Sequence, residues 1–143
     1  PAALRDHGPG DPEVIRRITD EIWNEGRLEL IDELVAEDFV DHVDMPGLEL
    51  VGRPRYRHSV EIMRTAFPDY HEHIEWCVAE GEIVADYVTL TGTHLGDFHG
   101  MAATGRRVEM HSFGALRIRD GKAVERWGIG DTPTLLGQLG ALG

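Results

Sequence analysis

Eight histidines in a chain of 143 residues give it a generous supply of groups that titrate near neutral pH and carry a proton in either direction. Six of them, His42, His71, His73, His94, His99 and His111, fall on or beside segments with strand-like patterning. His42 directly follows Asp41, and neighbours on a strand point to opposite faces, so one member of that pair faces an interior cavity and the other faces away. Burial would raise the pKa of a cavity-facing Asp41 and make it a usable base, whereas an outward Asp41 is a strand-edge charge. His94 ends Gly92-Thr93-His94 ahead of a glycine-bearing connection, where it either acts on a ligand or satisfies loop backbone groups. Asp131 is a pocket acid or the cap of a final helix. Thr132-Pro133-Thr134 followed by Leu135, Leu136 and Leu139 is a helix-start signal and favours the cap. His71 and His73 share a strand face, but with no third ligand at a recognisable spacing no metal site is expected.

The elements that must position these groups follow from apolar spacing. Asp11-Pro12-Glu13 supplies a cap, a first-turn proline and an acid, after which Val14, Ile18 and Ile22 recur with Ile15 and Trp23 beside them, predicting an amphipathic helix that ends at Gly26. Leu28, Ile31, Leu34 and Val35 continue helical spacing, and 38–44 turns strand-like. Pro54 opens a third helix carrying Tyr56, Val60, Met63 and Phe67, closed by Pro68. The period then changes to two, predicting strands over 71–79, 83–94, 107–119 and 122–130, with Glu80-Gly81-Glu82 and Asp120-Gly121 as hairpin turns. Such an order cannot form βαβ crossovers, so helices must cover one face of a curved antiparallel sheet, an α+β cone of four to five strands with its cavity between helices and sheet.

The last hairpin permits two registers. A two-residue turn sets Gly114 opposite Trp127 and gathers Met110, Ser112, Leu116, Trp127, Ile129 and Asp131 on one face. A three-residue turn pairs Arg117 with Glu125 outside and turns Gly114, Arg126 and Gly128 inward; a buried Arg126 would then require a carboxylate partner or an anionic ligand.

Size and composition bound the rest. At 143 residues, with 41% apolar and 28% charged residues, the chain fits one domain over 11–143 behind a mobile tail at 1–10. A net charge of -12 argues against nucleic acid or anionic membrane as a partner. The single Cys77 cannot form an internal disulfide, and the first residues lack the order of a signal peptide, which together suggest a cytoplasmic setting.

An ordered series of short segments runs nearly the whole chain: Trp23-Asn24-Glu25-Gly26, Asp38-Phe39-Val40-Asp41-His42, Phe67-Pro68-Asp69, Ala79-Glu80-Gly81-Glu82, Gly92-Thr93-His94, Gly96, Gly100, Thr104-Gly105-Arg106, Asp120-Gly121-Lys122, Glu125, Trp127, Asp131 and Gln138-Leu139-Gly140. In this series the chain resembles the SnoaL-like polyketide cyclases. The resemblance implies the fold of nuclear transport factor two and ketosteroid isomerase, and a cofactor-free intramolecular aldol closure of an aromatic polyketide. It also implies a departure: the family's catalytic aspartate position falls on Gly128 and that of its accompanying histidine on Gly114, a pairing that favours the second register. The chemistry would then pass to Asp41, His42, His94 or His111, with Asp131 as a further pocket acid. Trp23, Tyr56, Met63, Phe67, Met110, Arg126 and Trp127 are the candidate substrate contacts. The expectation is a tailoring enzyme, without cofactor or metal, acting by acid-base chemistry on a polyketide-like apolar substrate, most simply by cyclisation. The alternatives are a hydroxylase-type relative, a dehydratase or isomerase, and a non-catalytic carrier of a lipophilic metabolite. By analogy with the fold a homodimer through the sheet is expected, with Trp76, Val78 and Phe113 on its outer face.

Overall fold

Apolar residues of the N-terminal half fall at helical spacing and those of the C-terminal half alternate, and the computed structural model builds helices and a sheet accordingly. It describes residues 10–45 and 48–141, so all of the expected tail but Gly10 lies outside the described residues. Helix α1 (Pro12–Arg17) is capped by the Asp11 carboxylate, which accepts from the Glu13 N–H at 2.9 Å. It continues over Ile18–Asn24 as π-helical turns, a widened winding that costs hydrogen-bond geometry and is often kept where side chains must reach a site. A single 3-10 turn (Leu28–Leu30) leads into the short α2 (Ile31–Leu34), and α3 (Gly52–Ala66) starts two residues before its proline.

Five strands follow the order β1-β5-β4-β3-β2, with β1 at Val35–Asp41, β2 at His71–Glu80, β3 at Ile83–Thr93, β4 at Arg107–Arg119 and β5 at Lys122–Gly130. The expectation of a purely antiparallel sheet is corrected at one edge: β1 runs parallel to β5. Such a pair needs a long connection, and residues 42–121, with α3 and three strands, supply it. Helix α4 (Thr132–Gln138) closes the fold. Inward side chains of the sheet, among them Phe39, Val84, Leu90, Val108, Leu116 and Ile118, pack with Ile15, Ile22 and Val60 from the helical layer into one core. No helix among the described residues is long and apolar enough to cross a membrane.

The last hairpin combines both expected registers. Asp120 and Gly121 form a two-residue turn, with φ of 53° and 74°, as a type I′ hairpin requires. Arg119 pairs with Lys122 and Ile118 with Ala123, yet Arg117 pairs with Glu125, so Val124 is an extra, bulged residue. Beyond the bulge Leu116 faces Arg126, Ala115 faces Trp127 and Gly114 faces Gly128. One inserted residue exchanges the faces of everything that follows. Arg126 therefore turns inward, while Trp127 and the 75% exposed Ile129 lie on the outer face.

Candidate functional site

Between helices and sheet lies a cavity of about 570 Å³. Its wall is mainly apolar: Ile15, Ile18 and Trp23 come from the first helix, Tyr56 and Met63 from α3, Val88, Leu90 and Met110 from the sheet, and Phe98 and Met101 from the connection after β3. Only a few ionisable groups enter it, chiefly Glu72, Asp86 and Arg126, the composition expected of a small-molecule site.

Asp86 reaches the cavity because β3 alternates strictly: Val84, Asp86, Val88 and Leu90 are buried, and the residues between them are more open. Burial raises its carboxyl to about 7, the nearby Glu72 charge adds to the rise, and the Gly114 backbone opposes it. Asp86 is thus poised between acid and base at neutral pH. Its cross-strand partner is Gly114, where a Cβ would stand 3.0 Å from the Asp86 Oδ1. The absent side chain at 114 is the space the Asp86 carboxylate uses. Glu72, in inward phase on β2, is held by Asn24, whose amide donates to the Glu72 carbonyl at 2.9 Å and whose oxygen accepts the Glu72 N–H at 2.7 Å. Burial raises the Glu72 carboxyl as well, against the Tyr70 hydroxyl, which donates to it at 3.0 Å, and the Arg126 charge.

Arg126 has the carboxylate partner its burial requires. Asp41, with no exposed side-chain surface, accepts from Arg126 Nε at 3.1 Å and Nη2 at 2.7 Å, a bidentate pair across the β1–β5 edge. Burial works against the guanidinium charge, but Asp41, with Tyr56 and Glu72 adding to it, outweighs burial, so the Arg126 pKa rises. The guanidinium also lies 5.1 Å from the Tyr56 ring and 5.7 Å from the Trp23 ring. The Trp23 indole donates to the Tyr56 hydroxyl at 2.7 Å, and burial pushes that phenol up to about 12. Tyr56 serves here as a neutral wall and acceptor.

The remaining sequence candidates separate. Trp23, Tyr56, Met63, Met110 and Arg126 border the cavity as expected. Phe67 does not; it is fully buried against Gly92, which lacks the Cβ that would meet it. Trp127 borders the cavity, but its ring stacks on His42 outside the sheet, with centroids 5.2 Å apart. Of the Asp41–His42 pair, Asp41 points in and His42 out, where His42 Nε2 meets Glu125 at 2.6 Å. Asp41 is nevertheless engaged by Arg126 and does not line the cavity. His111 shares the outer face, with Nδ1 3.1 Å from the Thr89 hydroxyl. His94 is fully buried outside the cavity wall and anchors the 95–106 connection, its Nδ1 accepting from the Thr104 N–H at 3.2 Å. Asp131 caps α4, accepting from the Thr134 N–H at 3.2 Å and the hydroxyl at 2.6 Å, which lowers its pKa. For His111 and Trp127 the sheet register is the reason: odd-numbered β4 residues and, past the bulge, odd-numbered β5 residues face outward.

Sequence reasoning overlooked Asp86 and Glu72, although a signal existed. Asp86 is in phase with Val84, Val88 and Leu90, and Glu72 with Ile74, so each is a lone acid on an apolar strand face. Among the described residues no cluster suited to a metal is present.

Comparison with known proteins agrees with this geometry. The family model described as "SnoaL-like polyketide cyclase" matches residues 13–139. The aklanonic acid methyl ester cyclase DauD of Streptomyces sp. strain C5 is 30% identical, over 92% of this chain and 80% of that protein. Among solved structures, IdmH of Streptomyces antibioticus, a candidate polyketide cyclase, superposes with a TM-score of 0.76 at 34% identity, covering 90% of this chain and 96% of that one. AclR of Streptomyces galilaeus, a candidate hydroxylase, gives 0.77 at 30% identity, covering 90% and 79%. The five-stranded mixed sheet and its helices therefore form the α+β cone shared by these proteins.

Proposed function

Because this chain belongs to the SnoaL-like polyketide cyclase family, we propose that it is a cyclase-type tailoring enzyme that closes a ring on a polyketide-like substrate by proton transfer, with Asp86 as the acid-base group. The observation that carries this reading is the Asp86 carboxyl, raised to about 7, that borders a mainly apolar cavity. The ionised Asp86 takes a proton from an acidic methylene. The resulting enolate carbon attacks a ketone carbon, forming the C–C bond while the carbonyl electron pair moves to oxygen, and the proton is returned there to give an alcohol. Product and substrate are isomers, and no cofactor is needed for the balance. The apolar walls fold the chain so that the two carbons meet, which supplies much of the rate.

The supporting experiment is mass spectrometry of products from a panel of aromatic polyketide methyl esters and their free acids, each run beside Asp86→Asn. An isomer of unchanged mass that disappears with Asp86→Asn supports the reading. Loss of water points to a dehydratase, and an isomer that persists in the variant removes Asp86 from the chemistry. The likeness to AclR favours one second reading, a hydroxylase-type protein, which gain of an oxygen in the presence of a redox partner would identify. We further infer a homodimer through the outer sheet face, where Trp76, Val78 and Phe113 are 49%, 52% and 52% exposed. The one half-buried cysteine, Cys77, suits a cytoplasmic setting.

A further inference from the structure

Asp41 holds Arg126 by one edge. Its two oxygens engage Nε and Nη2, and Nη1 has no hydrogen-bond partner among the described residues. Arg55 Nε and His94 Nε2 are partnerless because they are sealed off; Arg126 Nη1 is not among those sealed atoms, and its guanidinium borders the cavity. Charge around it is unbalanced as well. Arg55 Nε lies 3.6 Å from the same Asp41 oxygen that Arg126 engages at 2.7 Å, so one buried carboxylate serves two guanidinium groups. Glu72 and Asp86, whose pKa values burial raises, make no ion pair with Arg126 among the described residues; Asp41 alone engages it. The Tyr56 and Trp23 rings beside Arg126 fix the plane of the fork. A rigid, desolvated donor aimed into an apolar cavity stabilises negative charge on oxygen far better than water does, because it needs no reorganisation.

We propose that Arg126 Nη1 is an oxyanion-binding group and that the cavity takes its ligand as an enolate or phenolate, the ionised form of a β-dicarbonyl or an acidic phenol, with Asp41 as the positioning residue. The inference deepens the proton-transfer reading and rests on it: Asp86 removes the proton, and Arg126 holds the charge that removal creates.

The test is ultraviolet titration of the full chain with 2-naphthol at neutral pH, where the free compound is un-ionised, because naphthol and naphtholate absorb at different wavelengths. A parallel titration with 2-naphthoate separates an oxyanion formed in the cavity from a carboxylate carried in. The expected result is a bound naphtholate spectrum, which for a phenol of ordinary pKa about 10 needs roughly a thousandfold preference for the ionised form at neutral pH, the upper range of what a preorganised oxyanion donor supplies. The double variant Asp41→Asn/Arg126→Gln removes both members of the buried pair, leaves Arg55 on the Val43 and Leu48 carbonyls it already engages, and should bind only neutral naphthol. Arg126→Lys, a milder change, should retain part of the shift. Asp86→Asn should keep the naphtholate spectrum while losing turnover. Neutral naphthol alone in the wild type, no naphthol binding at millimolar concentration, naphthoate binding in its place, or naphtholate retained in the double variant would each overturn the proposal. The two readings fail separately: turnover that survives Asp86→Asn sinks the proton-transfer role, and a neutral bound naphthol sinks the oxyanion role.

Discussion

At the scale of single residues the site turns on Asp86 and the glycine opposite it. Asp86→Asn is expected to lower kcat about 10²- to 10⁴-fold, the usual contribution of a positioned acid-base group. The rate profile of the wild type should show a limb near pH 7 that the variant lacks, measured as kcat/KM across pH. The same carboxyl has a stability signature of opposite sign. Its folded pKa, about 7, lies above the ordinary value of 3.8, so its contribution is fully favourable below the unfolded pKa and is lost as pH rises through the folded one. Relative to wild type, Asp86→Asn should therefore gain stability between about pH 5 and about pH 8, by at most ~3 kcal/mol, read by urea denaturation at both ends. Gly114→Ala tests the shared space: its Cβ would stand 3.0 Å from the Asp86 Oδ1, so kcat should fall while the melting temperature changes little. Part of this was readable in advance. Two of the clues were the need of a buried Arg126 for a carboxylate and the opposite facing of Asp41 and His42. That these two facts answer each other was not readable, because Asp41 and Arg126 are 85 residues apart and meet across a parallel pair that local patterning does not announce.

At the scale of elements, the β4–β5 hairpin decides which side chains see the cavity. Turn chemistry identified Asp120-Gly121 correctly, yet turn length alone misleads about register, since the Val124 bulge two residues on adds the offset. Deleting Val124 should remove that offset and move Arg126 away from Asp41. A buried pair broken this way costs about 3–5 kcal/mol, and thermal unfolding should show a loss of that order. Gly121→Val, at a φ of 74°, should cost only ~1–2 kcal/mol of stability and leave the binding of 2-naphthol unchanged, because the strain is local to the turn. The strands themselves were plain from their period. The π-helical winding of Ile18–Asn24 was not, because its apolar residues repeat as an α-helix would have them and the looser bonds answer to packing on the cavity.

At the scale of the whole molecule, the outer sheet face carries Trp76, Tyr87 and Phe113 in mutual contact, with ring centroids between 4.7 and 6.0 Å apart. A chain with net charge -12 has no evident use for such a patch in water. The double variant Trp76→Glu/Phe113→Glu is expected to sediment as a monomer where the wild type sediments as a dimer; a monomeric wild type would refute the sheet-mediated assembly. The contact between Gly114 and Asp86 also bears on descent. A Cβ at 114 would crowd the Asp86 Oδ1 at 3.0 Å, so a side chain placed there has to displace the carboxylate from its present position. The two sites are therefore not independent: along any mutational route, a larger residue at 114 is felt first by the acid at 86, and a route that keeps the acid in place keeps the glycine with it.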